Sequence, residues 1–135
     1  RAAVVQLNTA TEVLLDSIVT LFWENEQKLT IEESHKKLED TPFTKIVKTI
    51  IPQIIGGSWD ITANSTIVNK WYNEGYNLRN RIVHGGYFPE KHEAYTSITS
   101  TFKLHDYIIE LMCKSKFEYL QNIRKIPRVK IINMN

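Results

Sequence analysis

The sequence predicts an all-α fold: an up-down bundle of four or five helices, in a chain of 135 residues. Apolar residues recur at steps of three and four along most of the chain, and no segment alternates as a strand series would. Helix-start signals recur too, with a Ser, Thr or Asn standing just before an apolar-periodic run. Glycine pairs at 56–57 and 85–86 supply helix stops.

The elements follow in order. Val4, Leu7, Leu14, Leu15, Ile18 and Phe22 trace one face of a long N-terminal helix ending near Gln27. Thr9 with Glu12 has the spacing of a capping box inside that run, which offers a later start. Thr30 with Glu33 is a second box, opening a short charged helix to about Glu39. Thr41 before Pro42 predicts a cap followed by a first-turn proline, and the helix after it carries Phe43, Ile46, Val47, Ile50 and Ile51 inward. Pro52 kinks or ends that helix, and Gly56-Gly57 stops it. After a loop, an Asn64/Ser65 cap leads into a helix over about Thr66 to His84, closed by Gly85-Gly86. The last long helix starts near Pro89 and runs to about Gln121, with Tyr95, Ile98, Phe102, His105, Ile109 and Met112 as its packing stripe. The hydroxyl cluster from Thr96 to Thr101 weakens helix propensity there, so this helix depends on tertiary packing. The tail from Ile126 reads as a short strand or as disordered, and residues 126–135 as a basic tail.

By size the chain is one domain over residues 1–135, and its start at Arg1 fits one part of a longer protein. No apolar run reads as long enough to span a bilayer, and a single cysteine forms no internal disulfide. Together these predict a cytoplasmic protein without a membrane partner. Cys113, beside Leu111 and Met112, is expected to be buried and inert. The net charge of +2 conceals an asymmetry: residues 1–60 hold nine acids and six bases, residues 61–135 six acids and eleven bases. An anionic partner such as RNA or a nucleotide fits the second half.

That half contains Leu78-Arg79-Asn80-Arg81-Ile82-Val83-His84-Gly85-Gly86. At about 100° per residue, Trp71, Gly75, Leu78 and Ile82 fall on one face, the core side. Asn73, Asn77, Asn80 and His84 fall opposite, with Arg79 between the faces. Asparagine and histidine are poor helix formers, so propensity does not account for this uncharged stripe; a surface that meets a ligand or another subunit does. The chemistry such residues suit is metal-independent RNA cleavage. A base takes the ribose 2′-OH proton, a cation stabilises the phosphorane, and an acid protonates the departing 5′-oxygen. Histidine serves as base or acid near neutrality, and arginine grips phosphate through two hydrogen bonds. The same residues also admit a purely structural role, in which His84 caps the last carbonyls, Arg79 pairs with a carboxylate of another helix and Asn80 is simply exposed.

Arg79-Asn80-Arg81-Ile82-Val83-His84 resembles the Arg-Asn-x-x-x-His signature of the HEPN superfamily (higher eukaryotes and prokaryotes nucleotide-binding), and Leu78, Gly85 and Gly86 around it resemble many members. The order of elements from about Val4 to Gln121, with the motif near the end of a late helix and one long helix after it, is similar as well. The resemblance implies a metal-independent endoribonuclease in toxin–antitoxin, abortive-infection or CRISPR-linked antiviral defence. It also implies dimers in which two motifs form one cleft, with Arg79 and His84 catalytic and Asn80 supporting. The superfamily includes non-catalytic nucleotide-binding and dimerisation modules, which is the alternative. A homodimer also makes physical sense. One chain offers one acid/base group where the reaction needs two transfers, and a two-fold axis beside the Asn73/Asn77/Asn80/His84 face supplies the second. An antitoxin, or other domains of a longer chain, are the further partners expected.

Asn73, Asn77, Arg81 and Tyr87 are the candidate RNA- or nucleotide-binding residues, Tyr87 and Phe88 because rings beside a phosphate site stack on bases. His35, His92 and His105 are scattered without ligand spacing, so neither a metal nor a cofactor is expected, and His105 reads as a core histidine. Trp23, Trp59 and Trp71 read as core or interface anchors. The C-terminal run Lys114, Lys116, Arg124, Lys125, Arg128 and Lys130 is net basic and would guide RNA in a salt-dependent manner.

Overall fold

A computed structural model of the chain describes residues 1–122. The described residues are all-helical, without a strand. Helix α1 spans Ala2–Glu26 and α2 spans Ile31–Glu39. α3 consists of three consecutive segments, Phe43–Lys45, a π-helical Ile46–Ile50 and Ile51–Ile55. α4 is likewise composite: Ile67–Lys70, a π-helical Trp71–Tyr76 and Asn77–Gly85. α5 covers Lys91–Cys113, and a single turn, α6, covers Glu118–Gln121. The basic tail, and the strand or disorder expected from Ile126, lie outside the described residues.

α1 is the central helix and packs against α2, α3, α4 and α5. Its start at Ala2 overrides the Thr9/Glu12 box, because Val4 is fully buried and extends the apolar face a turn toward the N-terminus. By length and composition alone α1 would be able to cross a bilayer, which corrects the expectation that no run is long enough. In this fold it buries Val4, Leu15, Ile18 and Val19 in the protein interior. Each such aliphatic side chain contributes roughly 1.5–3 kcal/mol. Trp23, Trp59 and Trp71 are buried, as their reading as anchors requires.

α2 opens on the Thr30/Glu33 box, with both hydrogen bonds formed. Thr41 does not cap α3: its hydroxyl donates to the Lys37 carbonyl at 2.6 Å and closes α2, and α3 begins after Pro42. Pro52 neither ends nor breaks α3. The wider π turn before it leaves the ring room and relieves the bonding that a proline cannot join. The cap of α4 is Thr66, whose hydroxyl accepts from the Asn69 N–H, rather than Asn64 or Ser65.

α5 corrects two expectations. Tyr95 and Phe102, read as packing residues, are 72% and 55% exposed; the buried face is Ser97, Thr101, Leu104, Ile108 and Met112. The small hydroxyl residues are what let α5 approach α4 closely, and two of them bond within their own helix. Ser100 and Thr101 donate to the Ser97 carbonyl at 3.0 and 2.7 Å. The helix also ends at Cys113 instead of Gln121. Buried Ser115 breaks it by accepting the Phe117 N–H on its hydroxyl and the Gln121 amide on its carbonyl, which turns Leu120 into the core. Cys113, at this end, is exposed and not buried.

Candidate functional site

The C-terminal third of α4 is held by its apolar face. Leu78 and Ile82 join Val4 in a small satellite cluster, and Trp71 and Gly75 sit further back in the interior, as the core side of the wheel requires. Trp71 is fixed by Asn8 of α1, whose side-chain oxygen accepts the indole N–H at 3.1 Å. The helix stops at Gly86, which takes the left-handed conformation (φ 64°) and returns its N–H to the Ile82 carbonyl. A glycine suits this position because a Cβ resists that geometry.

Arg79 faces α1. Its Nη2 lies 3.6 Å from the Glu12 carboxylate, its Nη1 donates to Asn80 Oδ1 at 3.0 Å, and its buried Nε meets no acceptor among the described residues. Glu12 and Asp16 stand one turn apart on the half-buried side of α1. Burial pushes the Glu12 carboxyl above its ordinary range despite the pull of Arg79. Burial, then the neighbouring Glu12, pushes Asp16 up to about 6. His84 is exposed in the last turn of the same helix.

Arg81 and Tyr87 belong to a different group, a clasp across the corner between α4 and α5. The Arg81 guanidinium lies 3.8 Å above the Tyr87 ring and 4.0 Å from the Glu93 carboxylate. The Tyr87 hydroxyl donates to Glu93 at 2.6 Å, and the Glu90 N–H donates to the same oxygen at 2.9 Å. The Tyr87 bond, with the Glu90 N–H and Arg81 behind it, holds Glu93 below the usual carboxylate range. Tyr87 is thereby already engaged within the chain, whereas Phe88 beside it is 74% exposed. Asn73 and Asn77 join Arg81 in lining a cleft of about 240 Å³ between α4 and the start of α5, which His92 and Glu93 also line.

The expected polar stripe is therefore divided. Asn73 and Asn77 border the cleft, Asn80 turns its oxygen to Arg79, and His84 projects at the helix end. The π turn at Trp71–Tyr76 rotates less per residue than the uniform wheel assumes, which separates the early asparagines from the later residues. Glu12, Asp16, Asn8 and Glu93 were not singled out from sequence. The signal for the first two was present: two acids four apart in an otherwise apolar helix. Among the described residues no group of three or more His, Cys, Asp or Glu is arranged to hold a metal. His105 is half-buried and engaged. No family model, no curated protein and no solved structure matches the chain.

Proposed function

We propose that the chain is a HEPN-like helical domain acting as a metal-independent endoribonuclease, as a homodimer, in a cytoplasmic defence, stress or toxin–antitoxin system. The observation that carries the reading is the Arg79-Asn80-x-x-x-His84 motif on a terminal helical turn, closed by a left-handed Gly86 and followed by a long helix. Arg79 is the phosphate clamp, His84 the general acid/base and Asn80 the orienting residue. In the reaction the 2′-oxygen bonds to phosphorus as its proton leaves to a base, and the bond from phosphorus to the 5′-oxygen breaks as that oxygen is protonated.

The geometry gives a reason for two copies. In an α-helix Arg79 and His84 stand about 7.5 Å apart along the axis and about 140° apart around it. With Arg79 turned to α1 and His84 to solvent, one chain does not converge both on one phosphate. Arg79 of one protomer with His84 of its partner meets that need, and the second His84 supplies the second proton transfer.

RNA incubated in EDTA with the wild type, Arg79→Ala and His84→Ala tests the reading. Cleavage by the wild type alone supports it, and equal cleavage by all three refutes it. A monomer in sedimentation at micromolar concentration refutes the dimer. The second reading is a non-catalytic nucleotide-binding or dimerisation module. It is favoured by the Asn73/Asn77/Arg81 cleft and by the pairing of Arg79 with Glu12. Binding of a labelled nucleotide without cleavage supports this alternative.

A further inference from the structure

We propose that Glu12 of α1 is a positioning residue for Arg79, fixing the direction of the guanidinium and masking its charge until a phosphate competes for it. The inference rests on the reading of Arg79 as a phosphate clamp. Both side chains are about four-fifths buried, at 21% and 19% exposure, so this is not a solvated surface pair. Nor is the pair built for stability. A single contact of 3.6 Å is not the bidentate fork that arginine forms with a carboxylate when the pair is optimised. Burial raises Glu12's acidity constant more than Arg79 lowers it, so the ionised carboxylate is under-compensated where it stands.

What the pair does achieve is orientation. Glu12 takes Nη2, Asn80 takes Nη1, and Nε has no acceptor among the described residues, so the guanidinium is held at two nitrogens with a third left over. A phosphate carries more acceptor charge than one carboxylate oxygen and displaces it readily from a contact this long. Asp16, one helical turn from Glu12, makes a second ionised carboxylate beside it costly, which limits how firmly the acids hold Arg79.

Two measurements on the full chain test this. In 15N NMR without RNA, Glu12→Gln should broaden the Arg79 Nε–Hε signal and speed its exchange with water several-fold; an unchanged signal overturns the proposal. Binding of a 2′-O-methyl RNA oligonucleotide, which has no hydroxyl to attack, is then followed against salt. Glu12→Gln should tighten binding and steepen the slope of log K against log salt by about 0.7, one extra cation on a single strand. The change should vanish in an Arg79→Met background; a change that persists there overturns the proposal, because the acid then acts only through the general field. With cleavable RNA, Glu12→Gln should lower KM and kcat together, and Glu12→Asp should restore part of kcat. An altered NMR signal in a wild type that neither binds nor cleaves RNA would leave the positioning intact while removing the ribonuclease reading.

Discussion

Gly75 sits where α4 meets both α1 and α5, and replacing it with alanine sets two known effects against each other. In a helix interior, alanine is favoured over glycine by about 0.8–1.0 kcal/mol. Here, a Cβ would stand 2.7 Å from Thr101 Oγ1, 3.0 Å from Trp71 Cδ1 and 3.2 Å from Asn8 Oδ1. None of the three is free to withdraw. Thr101 is bonded to the Ser97 carbonyl at 2.7 Å, while Asn8 is bonded to Val4 at 3.0 Å and to the Trp71 indole at 3.1 Å. Overpacking a site of this kind costs about 1–3 kcal/mol. The net expectation is a loss of about 1 kcal/mol for Gly75→Ala, in spite of the better helix former. Gly85 is the control: it is helical with nothing within 4 Å of its would-be Cβ, so Gly85→Ala should gain about 0.4–1 kcal/mol. Urea denaturation followed by tryptophan fluorescence measures both, and Thr101→Ala should restore part of the loss in the Gly75→Ala background. A Gly75→Ala protein as stable as the wild type would refute the close-approach argument.

Three further outcomes are expected. Asn8→Ala strips the fully buried Trp71 indole of its acceptor and should cost about 1–3 kcal/mol by denaturation, so a loss within experimental error would show that the bond is dispensable. Asp16, pushed up to about 6 from the ordinary carboxylate value near 4, binds its proton more tightly folded than unfolded. Its contribution is thus fully present below about pH 4 and lost as pH rises through about 6, a change of roughly 1–2 kcal/mol once solvent screening is allowed for. Asp16→Asn should flatten that decline in stability measured between pH 4 and 7, and an unaltered slope would count against the assignment. Tyr87→Phe should let the Glu93 carboxyl titrate nearer its ordinary range in a 13C NMR titration, since the hydroxyl is the first cause of its lowering.

How much was legible differs from residue to residue, for physical reasons. The Thr30/Glu33 box, the burial of Ile46, Val47 and Ile51, the core face of α4 and the glycine stop were readable because each rests on contacts within a few residues. The packing face of α5 was misread because a hydropathy stripe favours Tyr95 and Phe102 over Ser97 and Thr101. Small side chains win when the neighbouring helix presents a glycine, a fact about a partner 26 residues away in sequence, from Gly75 to Thr101. Thr41 and Ser115 show the same limit at helix ends, where a hydroxyl can serve either neighbour and geometry chooses.

The sequence by itself determined that the chain is helical, where most helices begin, and that Arg79, Asn80 and His84 stand together on the last turn of one of them. Only the tertiary structure decided what those residues meet. The π turn shifted the face of α4, α1 brought Glu12 and Asp16 to Arg79, and the corner into α5 took Arg81 and Tyr87 into a clasp with Glu93. Helical periodicity is local and so is written in the spacing of residues. An ion pair between Glu12 and Arg79 depends on two helices crossing at one point, which no spacing along the chain encodes.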